Sequence, residues 1–109
     1  MASNIDLVQY IQEQCSQAGE ISVKKMFGDY AIYCNRIVVG LICDDMLFIK
    51  PTEHVRALYS DLKMKQPYSG AKEYFYIDDI DNRDFLVTIT RETYKALSIK
   101  KINTNNNWE

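Results

Sequence analysis

Residues 21–50 read ISVKKMFGDYAIYCNRIVVGLICDDMLFIK. Four short runs, 21–27, 30–34, 37–43 and 46–50, are rich in β-branched, aliphatic and aromatic residues, the composition of strands. Gly28-Asp29, Asn35-Arg36 and Asp44-Asp45 separate them, and these residue types tolerate turn conformations. Connections this short join antiparallel strands, because parallel strands need a long crossover. The stretch predicts a four-strand antiparallel meander.

Outward from it, the spacing turns helical. Before the meander, Leu7, Val8, Ile11, Cys15 and Ala18 recur at three- and four-residue intervals. They predict a helix over 3–18, with Ser3 as N-cap and Gly19 at its end. After the meander, Pro51 stops the sheet and Thr52 caps a second helix over 53–61, with Val55, Leu58 and Tyr59 facing inward. Pro67, Ser69 and Gly70 mark a loop, and 73–78 reads as a fifth strand. Val87-Thr88-Ile89-Thr90 has strand propensity, yet Phe85, Leu86, Ile89, Thr93, Ala96 and Leu97 keep helical spacing. Asn82 or Asp81 can cap, and Asp84 suits a first turn. The expectation is a helix over 83–98. The fold class is α+β, in the order α-β-β-β-β-α-β-α, with helices packed on a five-stranded meander-type sheet. Residues 1–100 form one domain, and the Asn-rich segment 101–109, with Trp108, is expected to be a disordered tail.

The chain has 109 residues, 47% hydrophobic and 26% charged, which are the proportions of a globular domain. The first fourteen residues include Asp6 and Glu13 and no continuous apolar run, so they do not read as a signal peptide. No apolar run approaches the length of a membrane span. Cys15, Cys34 and Cys43 have neither metal-ligand nor redox-motif spacing, and free buried thiols in a reducing, cytoplasmic compartment are the expectation. The net charge of −2 argues against a protein that binds nucleic acid through a broad basic face. Local patches at Lys24-Lys25, Lys63 with Lys65, and Lys100-Lys101 remain as candidates.

Catalytic signatures are lacking. His54 has no Cys, Asp or Glu at metal-binding helical spacing. No serine lies in a nucleophile-elbow context, and no glycine-rich loop precedes a helix. A calcium loop starting at Asp81 puts Glu92 at its twelfth position, but Arg83 and Phe85 occupy the third and fifth, and the glycine is missing. Asp44-Asp45 suit a tight turn better than acid–base work, which needs a pocket. No catalytic residue, metal site or cofactor is expected.

Two patterns point to binding instead. The runs 37–43 and 46–49 are apolar at both parities, whereas a sheet with one wet face alternates. Both faces are therefore expected to be covered. Either the first and third helices take opposite faces, or a second copy of the chain covers one in a homodimer. The other pattern is eight tyrosines, a residue enriched at interfaces.

The pieces Lys25-Met26-Phe27-Gly28-Asp29-Tyr30-Ala31-Ile32-Tyr33 and Asp44-Asp45-Met46-Leu47-Phe48-Ile49-Lys50 resemble the N-terminal domain of the TfoX/Sxy family, regulators of competence for DNA uptake in bacteria. The family pattern is a basic residue, Met-Phe-Gly-Gly-Tyr-Gly, an aliphatic residue and Tyr, followed by an acidic turn and a Leu-Tyr-Leu-Lys-like strand. Here Asp29 and Ala31 replace two glycines, and Asn35-Arg36 replaces an Asp-Gly turn. The resemblance covers the first domain of a two-domain family and implies a fold like that of secretion chaperones, which often dimerise. It also implies a role in activating transcription, in some bacteria beside a cyclic-AMP-responsive activator, with no enzymatic activity.

Within the matching pieces, Gly28 permits a turn, Met26 and Phe27 are expected to pack against the first helix, and Asp45 and Leu47 serve the hairpin. Lys25, Tyr30, Tyr33 and Lys50 are the candidate interaction surface, because a charge fixed among apolar residues must pair or snorkel. The leading expectation is a regulatory module that contacts a protein of the transcription machinery. Direct DNA binding stands as an alternative, and a small-ligand carrier or enzyme as a second.

Overall fold

Two hairpins set the sheet. Asn35 and Arg36 have φ of 50° and 73°, and Asp44 and Asp45 have φ of 52° and 61°. Two successive positive φ values make the two-residue turn whose twist matches that of paired strands. Asn35, Asp44 and Asp45 reach that region at low cost, and Arg36 holds it where the family pattern has glycine. The structure, a computed structural model, describes residues 4–26 and 28–106, with side chains through residue 99. Ser3, Phe27, Trp108 and the side chains of Lys100 and Lys101 lie outside the described residues, and with them the capping, packing and basic-patch expectations placed there.

The strands are β1 Ile21–Met26, β2 Asp29–Cys34, β3 Ile37–Cys43, β4 Met46–Ile49, β5 Lys63–Lys65 and β6 Tyr74–Ile77. They form one antiparallel sheet in the order β1-β2-β3-β4-β6-β5. The sheet thus has six strands, not five. The additional one, β5, is a three-residue edge strand whose Lys-Met-Lys sequence carries little β signal, and it forms because β6 offers it an edge.

The first helix, α1, spans Ile5–Gln14 and is followed by a 3-10 turn at Ser16–Ala18. Its N-cap is Asn4, whose Oδ1 accepts from the Asp6 N–H at 2.8 Å. The Asn4 N–H in turn donates to Asp45 Oδ1 at 2.7 Å, tying the helix start to the β3–β4 turn.

Helix α2 spans Glu53–Leu58, shorter than expected. Thr52 caps it through the Val55 N–H. Val55 is buried, but Leu58 is 51% exposed, because six residues leave only one inward position.

Helix α3 spans Arg83–Asn106, so helical periodicity prevailed over strand propensity at residues 87–90. It runs beyond residue 98 into the segment set apart as a tail. Asn82 caps it through the Phe85 N–H at 3.2 Å, while Asp81 accepts from the Tyr10 hydroxyl.

Cross-strand partners share a face and neighbours along a strand alternate. The pairs Ile42–Leu47, Leu47–Ile77 and Ile49–Phe75 therefore define one face. That face forms a single core with Val8 and Ile11 of α1, Val55 of α2, and Leu86 and Ile89 of α3. All three helices lie on this one face, which corrects the alternative that placed the first and third helices on opposite sides.

A register shift beside Ile32 and Tyr33 leaves Val39 as an extra residue in β3. Val39 and Gly40 are consecutive and both buried. A Cβ on Gly40 would sit 2.3 Å from the Phe48 carbonyl oxygen, so only glycine fits there.

Candidate functional site: the helix-free face of the sheet

The opposite face carries Ala31, Tyr33, Val38, Leu41, Cys43, Met46, Phe48, Lys50, Tyr74 and Tyr76 by the same register. No helix joins it. Ala31, Cys43 and Phe48 are buried there, yet they stand outside the helix-packed core. Phe48 packs on Tyr76 with ring centroids 5.8 Å apart. The Lys65 ammonium covers Tyr76 at 5.4 Å and lies 3.6 Å from the Met46 sulfur. The rest of the face is a half-buried apolar surface.

A cavity of about 690 Å³ opens on it, lined by Met26, Asp29, Tyr30, Val38, Leu41, Cys43, Lys50, Tyr68 and Tyr74. Tyr68, 61% exposed, reaches it from the loop before β6. Such a volume lies in the range of small-ligand sites.

The tyrosines divide by role. Tyr33, Tyr68, Tyr74 and Tyr76 belong to this face or its cavity. Tyr30, Tyr59 and Tyr94 pack against the helix-side core, and Tyr10 bonds Asp81. Tyr59 meets Phe85 edge-on at 5.2 Å. With Tyr30, which packs against the core and also lines the cavity, five of the eight tyrosines contribute to the face that no described helix covers or to its cavity.

The polar groups in the cavity sit at its two ends. Asp29 accepts from the Asp44 N–H at 3.3 Å. It lies beside Cys43, whose thiol is pushed up to about 11 by burial first and by the Asp29 charge second. This thiol keeps its proton near neutrality and is a poor nucleophile. Lys50 lies at the far end, where its backbone N–H donates to the Val39 carbonyl at 2.8 Å. Its ammonium has no ion-pair partner among the described residues.

The residues singled out by sequence fall in different places. Lys50 and Tyr30 line the cavity together with Met26. Tyr33 shares the face but not the cavity. Lys25 pairs with Tyr30 across β1 and β2, which puts it at the parity of the helix side, exposed on an edge strand. Met26 is 38% exposed and lines the cavity, so it does not pack on the first helix as expected: its parity on β1 is that of Lys24, not Val23. Gly28, with φ of 85°, makes the β1–β2 turn. Asp45 makes the β3–β4 turn, and Leu47 is core. Sequence reasoning missed Leu41, Cys43, Tyr68 and Tyr74 as site residues. Counting back from the Asp44-Asp45 turn would have put Leu41 and Cys43 on one face, whereas Tyr68 and Tyr74 depend on loop and long-range pairing.

The lysine pairs lie apart. Lys24-Lys25 are on β1 and Lys63 with Lys65 on β5, the two opposite edges of the sheet. Five strand spacings of about 4.8 Å put them roughly 24 Å apart. Lysines on edge strands guard unpaired backbone against sheet-to-sheet aggregation.

Among the described residues, no group of three or more His, Cys, Asp or Glu could hold a metal ion, and no helix is long and apolar enough to cross a membrane. The three cysteines are free and buried.

A family model of the TfoX N-terminal domain matches residues 13–97. The chain is also similar to a Spirochaeta aurantia protein described as the uncharacterized 12.7 kDa protein in the trpE 5′ region. The two are 34% identical over 80 residues, which cover 73% of this chain and 70% of that one. The match takes in every strand of the sheet and most of α3, including the whole helix-free face, and the chain belongs to the TfoX N-terminal domain family.

Proposed function

We propose that this domain is a non-catalytic regulatory module of the cytoplasm that contacts a protein of the transcription apparatus through the helix-free face of its sheet. The observation that carries this reading is the asymmetry of the sheet. Three helices seal one face, while the other keeps Tyr33, Val38, Leu41 and Tyr76 half-buried with no helix over them. Apolar surface rimmed by polar residues marks interaction sites in small domains, and tyrosine supplies large contact area at low conformational cost. Membership of a family tied to competence regulation supports a partner in transcription. A second copy of the chain is the competing occupant of the same face.

Direct DNA binding has less support, since the lysine pairs on β1 and β5 point from opposite edges and the net charge is −2. A DNA titration at two salt concentrations separates the readings: a steep salt dependence is the mark of phosphate contacts. The test of the protein-contact reading is photo-crosslinking in cells, with the reactive side chain placed at Tyr33. A cross-linked component of the transcription apparatus supports it. Adducts only with the same chain, or none, overturn it.

A further inference from the structure

We infer that the cavity on the helix-free face is a site for a small amphipathic carboxylate, an elongated apolar body with one acidic head, seated with its head on Lys50. The inference concerns the occupant of the cavity and does not rest on the protein partner proposed above.

Three features of the cavity carry it. Its walls are Met26, Val38, Leu41, Tyr68 and Tyr74, an apolar lining that favours a hydrocarbon or aromatic body. Its shape follows the strands: Val38 and Cys43 both line it and stand five residues apart on β3, which spans about 16 Å at about 3.3 Å per residue. Its charge is polarised along that axis. The Lys50 ammonium, without an ion-pair partner among the described residues, stands at one end. The Asp29 carboxylate is at the other, fixed by the Asp44 N–H and set against the Cys43 thiol.

An acidic head is attracted to the Lys50 end and repelled from the Asp29 end, so one orientation is selected. A neutral ligand gains only the apolar term. A cationic one finds Asp29 with part of its accepting capacity already engaged, and it meets Lys50 as a like charge. A charge-assisted hydrogen bond from Lys50 to a carboxylate in a half-enclosed apolar cavity is the strong kind. The cation has no other described group to satisfy it. A second copy of the chain could cover the face, but the opening is concave and flanked by the exposed Tyr68, which suits a small molecule better than a second sheet.

The experiment is calorimetric titration of the full chain with decanoate, decanol and decyltrimethylammonium, each below its micellar concentration. Light scattering follows the oligomeric state. The expected result is saturable 1:1 binding of decanoate at least about tenfold tighter than decanol, with the ammonium weakest. Lys50→Met keeps the apolar stem and is expected to erase the preference for decanoate over decanol. Leu41→Trp fills the cavity and is expected to abolish binding of all three. Thermal melts establish that each variant folds, and if Leu41→Trp does not, the Lys50→Met comparison decides alone. Absence of decanoate binding overturns the inference. So does equal affinity for decanoate and decanol, or a decanoate preference that survives Lys50→Met. A dimer that forms without ligand and closes the cavity to decanoate assigns the face to a second copy and overturns it as well. Failure here leaves the photo-crosslinking result at Tyr33 standing, since Tyr33 is outside the cavity.

Discussion

Leu47 and Phe48 are neighbours on β4, both almost wholly buried, and they belong to different structures. Leu47 joins the core that all three helices share, while Phe48 lies on the other face under Tyr76. The helix side is a continuous core of aliphatic side chains locked by helices from both ends of the chain. The other side has a few sealed positions among half-exposed tyrosines, a cavity with Lys50 at one end, and Lys65 over Tyr76. Two faces of one sheet thus differ in what covers them: one is sealed by the helices, and the other is left open among the described residues.

The difference should be largest in stability. Phe75→Ala, on the helix side, is expected to cost about 4 kcal/mol through the cavity it leaves. Leu41→Ala, half-exposed on the open face, is expected to cost about 1 kcal/mol or less. Urea unfolding of both variants checks this, and equal losses would erase the distinction between the faces.

Gly40 is where the two faces constrain each other. Its backbone approaches Phe48 so closely that a methyl group meets the carbonyl oxygen at 2.3 Å. Gly40→Ala is expected to cost about 3 kcal/mol by pushing β3 from β4. A tolerated alanine would show that the bulge at Val39 yields readily enough to let β3 move away from β4.

Cys43 gives a smaller effect with a defined sign. The folded chain holds the thiol proton until about pH 11, while the unfolded chain releases it near the ordinary value of 9.0. Stability from this group is therefore complete below pH 9 and declines as pH rises toward 11. Unfolding midpoints across that range should fall more steeply for the natural chain than for Cys43→Ala. Parallel curves would place Cys43 in a wetter environment than the sealed part of the open face.

The smallest effect is expected on the helical layer. His54 Nε2 and Glu92 Oε1 lie 2.6 Å apart and link α2 to α3. The His54 hydrogen bond is the largest influence on the Glu92 carboxyl and, with the Lys95 charge, holds it below its ordinary range against burial, the second-largest influence, which pushes it up. A depressed carboxyl stabilises above its unfolded value and loses that contribution as pH falls through the folded one. In a pair this exposed the total is about 0.5 kcal/mol or less. His54→Ala should shift the urea midpoint by no more than that at neutral pH, and by less in acid.

Much of this architecture is legible from local chemistry. The turns at 35–36 and 44–45 fix the register of β2, β3 and β4, and the spacing of Phe85, Leu86 and Ile89 identifies α3 despite its β-branched residues. Doubly apolar β3 and β4 predict two covered faces, of which the helices cover one. Which face the helices take is not legible, because amphipathic helices record only that they bury a side, not against what. Strand β5 is invisible because Lys-Met-Lys forms a strand only once β6 is beside it. The cavity is half legible: Lys50 and Tyr30 stand out in the motif. Tyr74 enters through the pairing of β4 with β6 across a 24-residue connection, and Tyr68 through a loop, neither of which any local pattern specifies.

The division of labour between the faces is tested most directly by photo-crosslinking in cells, with the reactive side chain at Tyr33 on the open face and, separately, at Leu58 on α2. The account predicts a discrete adduct with a transcription component from Tyr33 and none from Leu58. Adducts from Leu58 alone, or the same adducts from both positions, would contradict it and move the working surface to the helical side.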